Sequence, residues 1–419
     1  MGIGAVAFWQ NLLAGVCAIK RIGAFDPAAF PCQVAGEVPA YKIGDYVPKS
    51  YRKATKVMAR DIELAVVAAD DAFRGSGIQS KAYTEAPNFE PGRFGCNIGA
   101  GLISADLNEL TAAMHTARVD EGGPLDLHKW GTEGMQQLTP LWLLKYLPNM
   151  LACHVTIIHG LKGPSNTITC ADASGHLAIG EAFRTLQRGD ADLAICGGAQ
   201  SRVNPMGLMR RSMLKRLNST CNDRPEKSVC PFDVSAAGTV VGEGGGLLIL
   251  EDYERAIGRG AKILAELVGF GASQDAYSIS EPDPSGTAYA NAIIKALRDA
   301  GATAAEVDCL VPCGTGHPGH DRAELAGLRK AFGAELERIP MALPKSQTGT
   351  MEAGNAIDAA VAVMAVANGV VPPAINTSKI ADGGTLNVSP VARQQAVSVA
   401  VSSVWSIGGQ NAALVFRKV

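Results

Sequence analysis

A chain of 419 residues is long enough for two domain-sized cores or one large intertwined core. Its formal charge of −2 carries no basic excess and offers nothing to a nucleic-acid backbone. The 47 glycines and 5% aromatics suit a tightly packed α/β protein whose backbone lies close to ligand. The 10 cysteines are scattered, without CxxC pairs or Cys/His metal spacing. They read as reduced core thiols of a cytoplasmic protein, no metal or cofactor is expected, and no apolar run is long enough to span a membrane.

In chain order, Met1–Gly15 reads as a glycine turn and a short helix (AVAFWQNLLAG), and Ile19–Tyr46 as loop. Lys53–Gly77 predicts an amphipathic helix, with Val57, Met58, Ile62, Ala65, Val66 and Ala69 at helical spacing. Arg93–Gly101 is a strand ending in glycines, Ser104–His115 a helix, and Pro140–Gly160 an apolar helix. Asn166–Cys170 is extended and passes through a turn of small residues into a helix rich in Ala and Gly. The unpaired N–H groups of a helix start point outward, so a strand that delivers a residue there is a place for a nucleophile. The residue delivered is Asp172, a poor one for most chemistry. Ala191–Ala199 is a buried strand, Thr239–Leu250 a Gly-rich turn and strand, Tyr253–Gly260 a helix and Ile263–Gly271 a strand.

The second half continues with a helix at Ala288–Ala300, a strand at Cys309–Cys313, the turn Gly314–Gly319 and a helix at Asp321–Phe332. Met341–Leu343 is a short strand into Lys345, and Ala356–Asn368 a helix of small residues. Val397–Val404 and Ala412–Phe416 form a hairpin around Gly408-Gly409. Helix 173–188 followed by strand 191–197 has a coarse counterpart in helix 353–368 followed by strand 397–404. Alternating strands and helices with buried apolar strands argue for α/β layers.

At Gly163–Ala182 (GPSNTITCADASGHLAIGEA) the chain resembles the nucleophile segment of the β-ketoacyl-acyl carrier protein synthases, the condensing enzymes of fatty-acid and polyketide synthesis. Further segments match in the family's order: Trp9–Gly15 (WQNLLAG), Cys230–Gly246 (CPFDVSAAGTVVGEGGG), Ala261–Gly271 (AKILAELVGFG), Cys313–Asp321 (CGTGHPGHD), Lys345–Gly349 (KSQTG), Val371–Asn376 (VPPAIN) and Ser406–Asn411 (SIGGQN). The resemblance implies the thiolase fold: two pseudo-symmetric halves, 1–251 and 252–419, in five αβαβα layers, forming an obligate dimer. One departure is plain. Family members open with a strand before the glycine turn, whereas Met1-Gly2-Ile3-Gly4 is that turn itself, so the first strand is absent here and either the natural chain begins upstream or something else fills the gap.

Condensing enzymes use a cysteine thiolate and two histidines, with backbone N–H groups holding the thioester oxygen. Placed on this sequence, the three catalytic positions fall on Asp172, Cys313 and Thr350, while the lysine and its acidic partner persist as Lys345 and Asp358. The glycine-rich gate persists as Ile407, Gly408 and Gly409, and Thr315 and His317 lie in the loop after Cys313. Leu102 and Trp142 are candidates for shaping an acyl tunnel; the alternative for Trp142 is an ordinary core aromatic. Asp172 has two compatible readings, a helix N-cap or a carboxylate facing a ligand or partner. Cys170 reads as an inert thiol in the strand. Cys313 should face the former pocket, as a space-filler or as a reactive thiol. His317 and His320 read as loop surface or as contacts for a carrier arm, and His154, His159 and His176 as structural.

A carboxylate at residue 172 would not normally accept an acyl chain, and it would repel a malonyl carboxylate by roughly 1–4 kcal/mol at ~4 Å. The resemblance therefore implies a non-condensing, chain-length-factor-type subunit. Its expected partners are an active ketosynthase in a heterodimer, or itself in a homodimer, and an acyl carrier protein bearing a phosphopantetheine-bound acyl chain. The alternative is a stand-alone acyltransferase or hydrolase using Asp172, Cys170 or Cys313 in altered chemistry.

Overall fold

The computed structural model describes all residues, 1–419. Its core is two mixed four-stranded sheets. The first contains β1 (Phe94–Gly99), β2 (Ser165–Ile168), β3 (Leu193–Ser201) and β4 (Glu243–Glu251) in the order β2-β1-β3-β4, antiparallel only between β3 and β4. The second contains β5 (Glu266–Gln274), β6 (Cys309–Val311), β7 (Val399–Trp405) and β8 (Gln410–Arg417) in the order β5-β8-β7-β6, parallel only between β7 and β6. Every residue of β1, β3 and β7 is buried, the pattern of strands covered on both faces.

The helices make the other three layers. After α1 (Ala5–Leu13), helices α2 (Arg60–Ser76) and α3 (Met150–His159) cover the outer face of the first sheet. The central layer is α4 (Ser174–Gln187) and α7 (Ile357–Asn368), which touch both sheets. On the outer face of the second sheet lie α5 (Thr287–Asp299) and α6 (Pro318–Phe332). This is the thiolase-like arrangement, and its coarse duplication is visible: α4 leads into β3 and α7 leads to β7, each pair joining the central layer to one sheet.

Three elements differ from the sequence-based expectation. The helix predicted over Lys53–Gly77 is two pieces, a 3-10 segment at Lys49–Val57 and then α2, because Met58 takes an extended backbone that buries its side chain. Asp61 and Glu63 in the first turn of α2 suit the positive end of the helix dipole and mark the true start. The helix predicted over Pro140–Gly160 is a 3-10 turn at Trp142–Tyr146 and then α3; Pro148 forces Leu147 into the extended region between them. Within the predicted loop Ile19–Tyr46, Ile19–Arg21 pairs with Val34–Gly36, and the short strand predicted at Met341–Leu343 is a single bridge from Met341 to Leu310.

Two glycines set how closely the central layer approaches the first sheet. A Cβ on Gly99 would meet the Gly175 amide nitrogen at 2.5 Å, and one on Gly198 the Ala353 carbonyl oxygen at 2.3 Å. Both contacts hold backbone at the C-terminal ends of β1 and β3, where the start of α4 lies. At the other edge, β4 has β3 on one side and no strand on the other. Beside that edge runs an apolar cavity of about 150 Å³, lined by Gly244–Leu247, by Leu64 and Val67 of α2, and by Val361 and Met364 of α7. The opening residues Met1–Ala5 line the same cavity.

Candidate functional site

The chain leaves β2 at Ile168 and turns into α4 through a 3-10 turn at Ala171–Ala173, with Ala171 in the left-handed region at φ 45. Asp172 stands in this turn, 6% exposed. It is not the N-cap expected of it. Ala173 holds the cap position without a side-chain hydrogen bond, and Ser174 secures the turn. The Cys170 amide donates to Ser174 Oγ at 2.7 Å, and that hydroxyl donates to the Ala171 carbonyl at 2.7 Å. The Asp172 carboxylate is freed for the interior, where its Oδ1 accepts from Asn355 Nδ2 at 2.9 Å.

Around Asp172 the structure gathers an ion network that motif reasoning missed. Glu352, in the left-handed region at φ 50, pairs with both Arg202 and Arg211. Arg202 also donates to the Leu102 carbonyl at 2.7 Å, and Arg216 donates to the Ser280 carbonyl. Burial pushes Arg211 down to about 10; Asp172 opposes the shift, while Arg202 and Arg216 add to it. Burial likewise lowers Arg202 and Arg216, each against the pull of nearby carboxylates including Asp172. A readable signal was present: Arg202, Arg210, Arg211 and Arg216 crowd a segment with few acids, and guanidiniums that lose solvent on folding, as Arg202 and Arg216 do, require partners from elsewhere.

A cavity of about 30 Å³ adjoins this network, lined in part by Asp172, Arg211, Arg216, Thr315, His320 and Thr350. The structure thus brings Asp172 and Thr350 to one wall. Thr350 Oγ1 lies 2.7 Å from Thr239 Oγ1, and its amide donates to the Val240 carbonyl at 2.9 Å.

Cys313 does not face this cavity as expected. It is 1% exposed within the hydrophobic core of the second half, and burial pushes its thiol well above the ordinary range although Lys345 opposes the shift. The cause is its backbone, which is pinned from behind by α6: the Cys313 amide donates to Glu324 Oε1 at 2.6 Å and the Gly314 amide to Glu324 Oε2 at 2.9 Å. Native protein treated with iodoacetamide should therefore keep Cys313 unmodified by peptide mass, with alkylation appearing only after unfolding. Cys170 is half-buried, beyond the end of β2, and burial raises its thiol too.

The loop after Cys313 is held by a second acid. Asp321 accepts from the amides of Thr315 at 2.9 Å and Phe232 at 2.7 Å, and from Thr315 Oγ1 at 3.0 Å. His317 is half-buried as the N-cap of α6, its Nδ1 accepting from the His320 amide at 3.4 Å. His320 is not loop surface: it lies in the first turn of α6, 3% exposed, edge-on to Trp405 with ring centroids 4.8 Å apart. The three histidines read as structural are buried, each with one ring nitrogen partnered. His154 meets Tyr51 Oη at 2.9 Å, His159 meets Ser80 Oγ at 2.7 Å, and His176 meets Ser402 Oγ at 2.8 Å.

Lys345 and Asp358 form the expected ion pair, at 1% and 0% side-chain exposure. Burial works against the Lys345 ammonium, but Asp358 and then Cys313 outweigh it, so its pKa is raised and it stays charged. The other expected contacts lie apart from the cavity. Leu102 is 60% exposed, and Trp142 is half-buried against Tyr146 with ring centroids 5.6 Å apart. Ile407, Gly408 and Gly409 form the turn between β7 and β8, with both glycines at positive φ and the Gly408 amide donating to the Ile279 carbonyl at 3.1 Å.

Comparison with known proteins gives a consistent picture. The family model for the β-ketoacyl synthase N-terminal domain matches residues 1–256, and that for the C-terminal domain matches residues 264–378. The chain is 34% identical to 3-oxoacyl-[acyl-carrier-protein] synthase 2 of Vibrio harveyi, over 98% of this chain and 94% of that one. It is 31% identical to the protein of that name from Rhizobium meliloti, over 100% and 96%. Among solved structures, the ishigamide ketosynthase/chain length factor superposes with a TM-score of 0.83 at 26% identity, covering 100% of this chain and 96% of the other. A beta-ketoacyl synthase from Burkholderia phymatum gives 0.83 at 26%, covering 98% and 94%. With both family domains present in order and full-length relatives above 30% identity, the chain belongs to the β-ketoacyl synthase family.

Proposed function

We propose that this protein is a non-condensing ketosynthase-like subunit of the chain-length-factor type, acting in type II polyketide or specialised fatty-acid synthesis. In this reading it pairs with an active β-ketoacyl synthase and shapes that partner's acyl tunnel. The observation that carries it is the ion network at the head of α4. Where condensation needs a thiolate beside two imidazoles, this chain holds Asp172 hydrogen-bonded to Asn355 and within electrostatic reach of Arg202, Arg211 and Arg216, and the adjoining space is too small for an acyl chain. The likeness to a ketosynthase/chain length factor supports the same assignment.

Two surface features support a partner. Strand β2 is the outer strand of its sheet, with Ser165 and Asn166 exposed and its free edge able to pair. Leu102, Leu141, Leu143, Ile157, Met209 and Met213 are exposed, as expected of surface that another subunit covers. Leu102 and Trp142 would then meet the partner's tunnel, the gate Ile407-Gly408-Gly409 with Thr315 and His317 would face the carrier's phosphopantetheine arm, and the halves 1–251 and 252–419 are the two copies of the duplicated unit. The stand-alone alternative using Cys313 is weakened by the burial of that thiol.

Coexpression with an intact Cys-His-His synthase tests the assignment. The two chains should copurify in equal amounts, and the isolated chain should gain no mass from acyl carrier protein thioesters. Condensation by the isolated chain, or an acyl group on Asp172, would sink the proposal. A stable adduct lost in Cys313→Ser would favour the stand-alone enzyme.

A further inference from the structure

Leu102 is 60% exposed between Gly101 and Ile103, which are both buried. Ile103 packs into the core of the first half, so the loop after β1 is anchored on either side of this one outward side chain. The direction of Leu102 is therefore set by whatever holds its backbone. Strands β1 and β3 are parallel neighbours with Gly99 opposite Gly198, and a few residues further on Leu102 and Arg202 leave the sheet together.

Arg202 is 7% exposed and makes two contacts of different kinds. Its Nη1 donates to the Leu102 carbonyl at 2.7 Å, and no other group donates to that carbonyl. Its Nη2 pairs with Glu352. A planar guanidinium that spans two acceptors has one orientation, so the fixed position of Glu352 is passed on to Leu102. Glu352 is itself held by Arg211 on its other oxygen, from a backbone in the left-handed region. Gly101 lies against the buried Gln200 side chain, where a Cβ would meet Nε2 at 2.0 Å, and Gln200 Oε1 accepts from the Ala353 amide at 3.0 Å. The dipeptide Glu352-Ala353 thus holds the loop twice, through Arg202 and through Gln200. Further along the same segment, the Asp106 amide donates to Tyr146 Oη at 3.1 Å, and Tyr146 packs on Trp142, which links the second candidate tunnel residue to this loop.

We propose that Arg202 is a positioning residue for chain length: through the Leu102 carbonyl it sets how far the Leu102 side chain projects from this subunit, and so where the partner's acyl tunnel ends. The inference rests on the chain-length-factor reading given above and adds to it the residue that aims the stop. It also gives the buried ion network a task. A buried ion network is seldom the most stable filling of a core, and what this one supplies is a fixed geometry. Lysine, a point charge on a flexible stem, would reach Glu352 without holding the Leu102 carbonyl in a set direction.

Coexpression with an intact Cys-His-His synthase and an acyl carrier protein tests this, with product length read by mass spectrometry for equal amounts of complex. Leu102→Trp should shorten the products and Leu102→Ala lengthen them. Arg202→Met should spread the wild-type length over several chain-extension units, and Arg202→Lys should spread it less. Gly101→Ala, which pushes the loop away from Gln200 without touching a charge, should shift it. A residue that served folding alone would lower the yield of complex and leave product length as it was. Crystals of the isolated chain give a second readout: Leu102 should hold its place in wild type and lose it in Arg202→Met. If Leu102→Trp shifts product length and neither Arg202→Lys nor Gly101→Ala does, the positioning role is overturned while the chain-length reading stands. If Leu102→Trp has no effect, or the chains do not copurify, that reading fails and the inference falls with it. Arg202→Lys and Gly101→Ala carry the test should Arg202→Met not fold.

Discussion

Replacing Lys345 by Met should cost about 3–5 kcal/mol of folding stability, read from urea unfolding of the purified protein. The ammonium is 1% exposed and its partner Asp358 is fully buried. Asp358 Oδ1 has no hydrogen bond of its own, so losing Lys345 strands a carboxylate that burial already pushes upward. It would take up a proton or drag water into a dry interior, and either outcome is expensive. The double variant Lys345→Met/Asp358→Leu should recover most of the loss, because removing both charges removes the orphan. Failure of that recovery would mean that Lys345 acts through another neighbour, of which Cys313 and Glu324 are the candidates. The pair also bears on function. It ties the Lys345–Thr348 helical turn to α7, and the segment between them carries Thr350, Glu352 and Asn355, three of the groups around Asp172.

The strands and central helices of this fold were legible because their burial is written in the residues. The apolar runs of β1, β3 and β7 and the small-residue faces of α4 and α7 survive in a single sequence. Boundaries failed where one residue overrode periodicity. Met58 continued a helical pattern but is extended, and Pro148 split an apolar run that looked continuous. The positions of Asp172 and Thr350 on one wall followed from motif order alone.

The ion network did not, and the reason is physical. Glu352 meets Arg202 and Arg211 from 150 and 141 residues away, and Asn355 meets Asp172 across 183. Nothing in local spacing couples such groups. What a sequence can show is the imbalance, a run of arginines without local acids, and that imbalance points to distant partners without naming them. Cys313 illustrates the converse. Its place after a strand suggested a thiol facing the former pocket, but the direction of a side chain at a strand end is set by what holds the backbone. Here that is Glu324, whose side chain arrives from the next helix.

Glu324→Ala should accordingly be as damaging as the loss of Lys345. The carboxylate accepts from the amides of Cys313 and Gly314, from Tyr289 Oη at 2.8 Å and from Trp405 Nε1 at 3.3 Å. Truncation orphans three buried donors, since Tyr289 Oη retains Ser403 Oγ at 2.7 Å, and at about 1–3 kcal/mol for each one left unmet the loss should reach at least about 3 kcal/mol. Glu324→Gln keeps one acceptor oxygen and turns an NH₂ group toward the remaining donors, so it should fall between Ala and wild type. The pH dependence separates this account from simple cavity formation. Burial raises Glu324 from 4.5 to about 7, Asp321 adds to the rise, and the hydrogen-bond donors oppose it. A carboxyl with a folded pKa above its unfolded value contributes stability that is full below about pH 4.5 and lost as pH rises through about 7. The size of that contribution is on the order of 3 kcal/mol. Wild-type stability should therefore fall between pH 4.5 and 7, with Asp321 and Asp61, each raised to about 6 by burial, sharing the slope. In Glu324→Gln the slope should become shallower, because one titrating group is gone. Unchanged slopes in urea unfolding across that range would show that Glu324 is already ionised at pH 4.5, its four donors outweighing its burial.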